Sequence, residues 1–198
     1  MSDLKSYKVE IVRYQTVKPF LEKYHYSHNT NGIVVSYCFG LFKPQEALFG
    51  IPILVGAAIV GRPSMNRQAA KWWPTNPRQC YELRRLACID DTPKNTESYF
   101  ISKIILWLEN NTDAEALLSY ADPLYGHQGT IYKASNFQLV GKTAGDRVVQ
   151  IQGQNFHSRT LTNTKPYAKR IRDDIASGNK KVKVIKTPPK FIYLYPLR

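Results

Sequence analysis

Residues 117–142 read LLSYADPLYGHQGTIYKASNFQLVGK, a stretch whose hydrophobic pattern changes several times. The run 117–120 is mostly apolar, as is typical of a strand buried on both faces. Pro123 ends this strand because proline cannot donate a hydrogen bond to a sheet ladder. The pattern then indicates a short helix over 130–135 and another strand over 137–140. The stretch therefore predicts a strand, loop, helix and strand of an α/β fold.

Three polar side chains, Asp122, His127 and Tyr132, follow one another where the first of these strands hands over to the helix. In open α/β sheets, ligands bind at the carboxyl ends of the strands. Taken singly, an aspartate before proline is usually a turn former, and a tyrosine on a helix is usually half-buried packing. The spacing of the whole set favours a functional site, so all three are catalytic candidates.

The chain is strongly basic, with 198 residues, a formal net charge of +13 and a pI near 9.7. The segment 165–198 alone holds ten Lys or Arg and two Asp, with four aromatic residues between them. A chain of this kind usually meets a polyanion, and nucleic acid is the first candidate. The alternative is a generally basic surface that serves solubility.

The three cysteines, Cys38, Cys80 and Cys88, show no CxxC spacing, so we expect reduced core residues of a cytoplasmic protein. The N-terminus is polar and alternating, which predicts no signal peptide. No apolar run approaches 18 residues, so no membrane span is expected.

The order of predicted elements is β, α, β, β, β, α, β, α, β, followed by a basic tail. Three antiparallel strands precede the clearest helix of the chain, at 96–110, whose apolar residues recur with a helical period. This order predicts a mixed α/β sheet with helices on both faces. We expect a catalytic domain over 1–160, with a basic segment over 161–198 packed on it.

The element order, together with the sequence at two joints, resembles the GNAT acyltransferases. One joint is 92–98, TPKNTES, which opens the clearest helix; the other is 132–137, YKASNF, which is similar to a family motif of tyrosine, three residues, glycine and phenylalanine. Asn136 replaces that glycine, and both residue types adopt the left-handed conformation that ends a helix. The resemblance implies a GNAT-like fold in which strands four and five splay, here near Ala87 and Ser119.

The same resemblance implies that acyl-CoA lies in the gap between strands four and five, with its pyrophosphate on the start of the following helix. Unsatisfied backbone N–H groups and the positive end of the helix dipole suit a phosphate there. The usual Gly-rich loop of the family is missing, so an ordinary capped helix start is the alternative. The cofactor-binding residues implied are Leu86, Ala87, Lys94, Asn95, Thr96, Ser98 and Tyr132.

A closer resemblance covers most of the chain. It rests on HY at 25–26, ELRRL at 82–86, PKN at 93–95 with Ser98, the block 120–137 and HSR at 157–159. Together these pieces resemble the Mom proteins of Mu-like phages, GNAT-related enzymes of DNA modification. The resemblance implies carbamoylmethylation of the N6 amino group of adenine in duplex DNA, which blocks restriction enzymes. It also implies acetyl-CoA as cofactor, a bound iron with unassigned ligands, and the host cytoplasm as location.

The chemistry of this reaction suggests roles for the candidate side chains. The adenine amino group is a poor nucleophile because its lone pair is delocalised, and a carboxylate such as Asp122 helps by accepting its proton. Tyr132 can protonate the leaving thiolate, since a tyrosine, with a pKa above that of a thiol, still carries its proton at neutral pH. One histidine of the His25/His28 pair, together with Asp122, can move a proton or orient the substrate. A flipped base can stack on Tyr24, Tyr26, Trp72 or Trp73, each of which is otherwise an ordinary core residue. We expect Asp122, Tyr132 and a histidine to line one pocket beside the thioester.

Duplex DNA is the predicted partner, and phosphate contacts would supply most of the affinity without reading sequence. The oligomeric state is left open by the sequence. The residues predicted to contact DNA are Arg62, Arg159, Lys180, Lys181, Lys183 and Lys186.

His25 and His28 are also a candidate metal pair. A His-x-x-His spacing places two rings about one turn apart if the segment is helical, and Asp122 and His127 could complete the ligand set if the fold brings them close. The alternatives are a proton-transfer role for one histidine and an ordinary histidine at a helix end.

Two other functions remain compatible with the sequence. One is a GNAT enzyme that acetylates a protein or a small-molecule amine, which predicts no tight DNA binding. The other is a DNA-binding protein without catalytic activity, for which Asp122 and Tyr132 are dispensable.

Overall fold

The computed structural model describes residues 4–44, 50–64, 66–151, 154–157, 164, 166–178 and 181–197. The chain divides into two compact units. The first comprises residues 1–121, 129–141 and 192–198, and the second comprises residues 122–128 and 142–191. The predicted boundary between residues 160 and 161 lies outside the described residues.

The first unit contains a seven-stranded mixed sheet in the order β1-β2-β3-β4-β5-β10-β6. The first four strands pair antiparallel, and β4 pairs parallel to β5. The strands are β1 (Lys8–Ile11), β2 (Tyr37–Lys43), β3 (Ile53–Gly61), β4 (Cys80–Cys88), β5 (Ala116–Ala121), β6 (Gln138–Lys142) and β10 (Phe191–Pro196). The helices are α1 (Tyr14–Tyr24), α2 (Asn66–Trp72), α3 (Thr96–Asn111) and α4 (Thr130–Ala134).

Helices cover both faces of this sheet, as the alternation of its strands predicts. Cys38 of β2 packs against α1, whereas the next residue, Phe39, meets Trp107 of α3 with ring centroids 5.3 Å apart. On β4, Cys80 packs with Ala69 of α2 on the α1 face. Because neighbouring strand residues point to opposite faces, α1 and α2 share one face and α3 lies on the other.

Strand β2 begins only at Tyr37, although the apolar residues before it, from Ile33 on, would suit a longer strand. Its partner β3 ends at Gly61, and Tyr37 pairs with Val60. The Ser36 N–H still donates to the Val60 carbonyl over 2.9 Å, but the residues before Ser36 lie beyond the end of β3. Val34 and Val35 stay exposed as a result. The Val34 carbonyl lies close to Gly61: a Cβ atom on residue 61 would be only 1.9 Å from the Val34 oxygen.

The second unit is built on a small antiparallel sheet in the order β8-β7-β9. Its strands are β7 (Asp146–Ile151), β8 (Gln154–His157) and β9 (Val182–Thr187), and its helix is α5 (Pro166–Ala176). Ala168 of α5 and Val149 of β7 are fully buried, which gives this unit an apolar centre of its own. In the described part of the chain, no helix is both long enough and apolar enough to span a bilayer.

Candidate active site

The two parallel strands at the middle of the large sheet part from each other. Their pairing is limited to Cys80, Tyr81 and Glu82 of β4 against Ala116, Leu117 and Leu118 of β5. The separated segments that follow contain Ala87 and Ser119, the predicted positions of the splay. The sheet therefore opens a gap beyond Glu82.

Tyr132 stands at this gap from α4. Its ring is 5.4 Å from the ring of Tyr193 and 5.6 Å from that of Phe137, centroid to centroid. Loss of hydration raises the pKa of its hydroxyl, and the nearby Glu82 carboxylate raises it further. A hydrogen bond with Ser119 of β5 acts in the opposite direction. The hydroxyl thus stays protonated at neutral pH and can donate a proton.

Two left-handed residues fix the short helix that carries Tyr132. Asn136 has φ 62°, as predicted from its place in the GNAT motif, and the Phe137 N–H donates to the Tyr132 carbonyl over 3.0 Å. At the other end Gly129 has φ 78°, and its Cα faces the buried ring of Tyr193. Tyr193 comes from the last strand, and the alternation of that strand gave no sign of this contact.

We expect Gly129→Ala to lower the free energy of unfolding by about 2–4 kcal/mol, because it adds overpacking to backbone strain. A Cβ there would lie 2.2 Å from the Tyr193 ring. Gly126→Ala is the control, since Gly126 has the same φ but open space around it, so only the strain remains. Urea unfolding of both variants measures the difference. Equal losses would show that the ring moves aside freely.

A nearly buried ion pair joins Arg84 to Glu82, the last residue of β4 that pairs with β5. Arg84 Nη1 lies 2.9 Å from Glu82 Oε2, with side chains 10% and 14% exposed. Arg84 Nη2 also donates to Ser64 Oγ over 2.6 Å. Both residues lie on the same strand face because they are two positions apart, but the burial of the pair depends on the loop after β3. Desolvation, and secondarily the Glu82 carboxylate, raises the pKa of the neighbouring Tyr120.

His25 and Tyr26 lie beside β4 at the end of α1. His25 is buried, its Nδ1 is 2.8 Å from Ser27 Oγ, and its ring stacks on Tyr26 at 4.2 Å between centroids. Desolvation lowers the pKa of Arg85 of β4, while nearby Tyr26 acts to raise it. The structure thus brings the predicted His25–Tyr26 pair next to Arg85, which the sequence did not identify as a site residue.

The prediction of a helical His-x-x-His pair is wrong. Helix α1 ends at Tyr24, and His28 has φ 45° in the turn that follows, where its Nδ1 lies 3.0 Å from the Glu22 carbonyl. Among the described residues, no group of three His, Cys, Asp or Glu side chains is arranged to hold a metal ion. Within the described residues, His25, His28 and Asp122 therefore do not fit the implied iron.

The start of α3 has the features expected of a phosphate site, although its hydroxyls are already engaged. Asn95 is left-handed with φ 72°, Thr96 Oγ1 donates to the Pro93 carbonyl over 2.6 Å, and Ser98 Oγ donates to the Asn95 carbonyl over 3.0 Å. Lys94 is exposed beside them. Leu86 and Ala87 lie on the separated part of β4.

A cavity of about 600 Å³ opens between α3 and α4. Its polar lining includes Asn95, Ser98, Lys103, Ser135 and Asn136. A cavity of this size and lining can hold part of a nucleotide cofactor, with Lys103 as a cation for its phosphates.

Asp122 belongs to the second unit, where both carboxylate oxygens have partners. Oδ2 lies 2.8 Å from Lys190 Nζ, and Oδ1 accepts from the Leu124 N–H at 3.1 Å. The side chain is 6% exposed and caps the 3₁₀ turn Pro123–Tyr125. His127 is exposed, and its backbone N–H donates to the Asp122 carbonyl over 3.2 Å. Asp122 thus has the turn-forming role that its position before proline favours, together with an ion pair that sequence reasoning missed.

Lys183 and Lys186 are exposed on β9, with Lys181 immediately before that strand. Arg62 stacks on the ring of Tyr81, with its guanidinium carbon 3.9 Å from the ring centroid. Arg159 and Lys180 lie outside the described residues.

Solved acetyltransferases share this architecture. Spermidine/spermine N-acetyltransferase from Vibrio cholerae superposes with a TM-score of 0.53 at 6% identity, covering 98% of this chain and 94% of its own. Agmatine N-acetyltransferase reaches 0.51 at 11% identity, covering 97% and 100%. A putative acetyltransferase of the GNAT family from Desulfovibrio desulfuricans reaches 0.50 at 8% identity, covering 97% and 99%. The fold is therefore that of the GNAT acyltransferases, as predicted.

The sequence places the chain more narrowly within this fold. The model of the Mom protein family matches residues 6–198, so the chain belongs to that family. Its similarity to the methylcarbamoylase mom of Escherichia phage Mu is 29% identity over 161 residues. That alignment covers 79% of this chain and 62% of the phage Mu protein, so the chain spans about three fifths of that relative.

Proposed function

We propose that this protein is a phage DNA-modification enzyme that transfers a group from acetyl-CoA to the N6 amino group of adenine in duplex DNA. The acetyl group is what the thioester itself delivers. A product of the carbamoylmethyl type, which protects the DNA from restriction enzymes, is joined to N6 through a methylene and contains an amide nitrogen, so its formation also takes a nitrogen donor and a two-electron oxidant of the methyl carbon. Membership of the Mom family and the charge of +13 support DNA as the substrate. The observation that carries the transferase chemistry is the parting of β4 and β5 beyond Glu82, with protonated Tyr132 at the gap.

The cofactor fits the α3 side of the sheet. Acetyl-CoA, when bound, supplies an activated thioester. The start of α3 offers backbone N–H groups to its pyrophosphate, with Lys94 and Lys103 as nearby cations. Leu86 and Ala87 then face the pantetheine arm from the separated part of β4.

Side chains from the rest of the site take the proton-transfer and positioning roles. Tyr132 protonates the sulfur as it leaves, and its raised pKa keeps that proton available at neutral pH. Asp122 accepts the proton of the adenine amino group, and Lys190 orients its carboxylate. His25 and Tyr26 position the flipped base, and His127 assists the proton transfer.

Nucleosides from DNA of cells that express the protein provide the direct test. We expect an N6-modified deoxyadenosine, identified by its exact mass, that is absent from cells carrying the empty vector. Purified protein should form the same product from duplex DNA only when acetyl-CoA is present. Unmodified DNA together with acetylated polyamine or protein would replace this proposal with that of an ordinary GNAT enzyme.

The exposed lysines of β9 lead to a prediction about salt. Replacing Lys181, Lys183 and Lys186 by Gln should weaken duplex binding and flatten its salt dependence, with the slope of log K against log salt falling by about 0.9 per lost phosphate contact. Fluorescence anisotropy of a labelled duplex measures this slope. The control replaces Lys8, Lys18 and Lys23 of the first unit, which changes the net charge equally. An equal fall in both variants would mean that only the overall charge matters.

A further inference from the structure

A second cavity of the first unit, of about 590 Å³, opens between the end of β3, helix α2 and the turn before β4. Three of its lining side chains are polar or cationic, and the others offer flat or small apolar surfaces. They are Arg62, Asn66 and Arg78, with Pro63, Ala69, Ala70 and Pro77. The roles described above for cofactor and proton transfer use none of these residues.

Arg62, the residue after β3, has no hydrogen-bond acceptor for part of its guanidinium group in the described part of the chain. Arg62 covers the Tyr81 ring with its flat face, but its Nη1 is buried and has no acceptor in the described part of the chain. An arginine carries five N–H donors, and a buried donor without an acceptor loses its hydration without replacement. Because Nη1 is not accessible even to water, an anion in the cavity accepts from the other N–H groups of Arg62, a residue that lines this cavity.

The charge around the cavity also favours an anion. Residues 62–78 contain four Arg or Lys and no Asp or Glu. Within the described residues, neither Arg62 nor Arg78 takes part in an ion pair. Three carboxylates on the neighbouring elements already have partners: Glu82 pairs with Arg84, Asp113 accepts from the Tyr81 hydroxyl over 3.5 Å, and Glu115 accepts from the Trp73 indole.

Arg84 connects the residues at this cavity with the candidate active site. Arg84 donates to the Arg62 carbonyl over 3.5 Å and to Ser64 Oγ over 2.6 Å, while it pairs with Glu82. Gly61, which precedes Arg62, pairs with Glu82, the last β4 residue before the gap. A ligand in this cavity therefore lies beside the strand that borders the gap.

We propose that this cavity binds a phosphodiester of the DNA strand close to the modified nucleotide. Arg62 and Arg78 bind the phosphate, and Pro63 and Pro77 pack against the adjoining sugar. A planar guanidinium suits a phosphate because it offers two parallel N–H groups to two oxygens. This inference rests on the proposed function, because it assigns a contact to the DNA substrate.

The test compares Arg62→Gln and Arg78→Gln with Arg67→Gln, in the full chain. All three remove one positive charge, but Arg67 is exposed on α2 and does not line the cavity. We expect each cavity variant to lower the salt slope of duplex binding by about 0.9, equivalent to about eightfold weaker binding at 0.1 M salt. Arg67→Gln should change the slope much less. Because Arg62 also stacks on Tyr81, Arg78→Gln keeps the test valid if the first variant is unstable.

A duplex series with one neutral methylphosphonate linkage at each position near the target adenine locates the contact. Wild-type protein should lose affinity at one linkage, and Arg78→Gln should lose clearly less at that same linkage, because only Arg62 still contacts it. Equal slopes in wild-type and Arg78→Gln proteins, or an equal loss in Arg67→Gln, would overturn the inference. Weakened acetyl-CoA binding in the cavity variants, with DNA binding intact, would also overturn it. A wild-type protein that binds no duplex DNA would instead overturn the proposed function itself.

Discussion

Tyr132→Phe is expected to lower the rate of adenine modification by about a hundredfold or more, while leaving the fold and DNA binding intact. The change removes the hydroxyl that we assign as proton donor to the leaving thiolate, and a positioned general acid typically contributes at least this factor. The ring contacts with Tyr193 and Phe137 are retained, because phenylalanine has the same ring. The measurement is the initial rate of modified-nucleoside formation by purified protein.

Tyr125→Phe provides the matched control, since Tyr125 is an exposed tyrosine of the second unit. Its rate should equal that of the wild type. If Tyr132→Phe also works at the wild-type rate, then the hydroxyl has no part in the chemistry and Tyr132 is a packing residue.

The same assignment predicts how the wild-type rate depends on pH. Desolvation places the pKa of Tyr132 above its usual value near 10, and the acid is active only while protonated. Its contribution should therefore be constant from neutral to mildly alkaline pH and disappear only above the raised pKa. A Tyr132-dependent loss of rate near pH 8 would contradict this assignment.

Asp122→Asn is expected to lower the modification rate by about a hundredfold to ten-thousandfold, the usual range for loss of a general base. Asparagine keeps an oxygen that can accept from the Leu124 N–H, so the 3₁₀ turn should survive. The substitution does break the ion pair with Lys190. The modified-adenine fraction in DNA from cells with equal soluble protein measures the loss.

Two further variants separate catalysis from structure. Lys190→Gln removes the other member of the ion pair, so it should reproduce any purely structural effect of Asp122→Asn but a smaller loss of rate. Asp173→Asn is a neutral control, since Asp173 is exposed and pairs with Lys169 within one turn of α5. Near wild-type modification by Asp122→Asn would return Asp122 to its role as a turn residue.

Local features were predicted well because they depend on residues close in the chain. Helix α3 was expected over 96–110 and is Thr96–Asn111, since its apolar period is a property of the segment itself. The left-handed Asn136 was expected from the motif around it, and its φ of 62° confirms this. The prediction that His25 and His28 lie on a helix was wrong. The apolar period of α1 contains no signal for the turn that ends this helix at Tyr24.

The sequence by itself determined the class of fold and the short helix that carries Tyr132. The hydrophobic period, the turn residues and the family motif each depend only on residues that are close together in the chain. Tertiary structure alone decided which distant groups meet. The Asp122–Lys190 ion pair joins residues far apart in the chain, and the burial of Glu82 and Arg84 depends on Ser64. Such contacts arise from the packing of separate segments, and no local pattern encodes the partner that a buried charge will find.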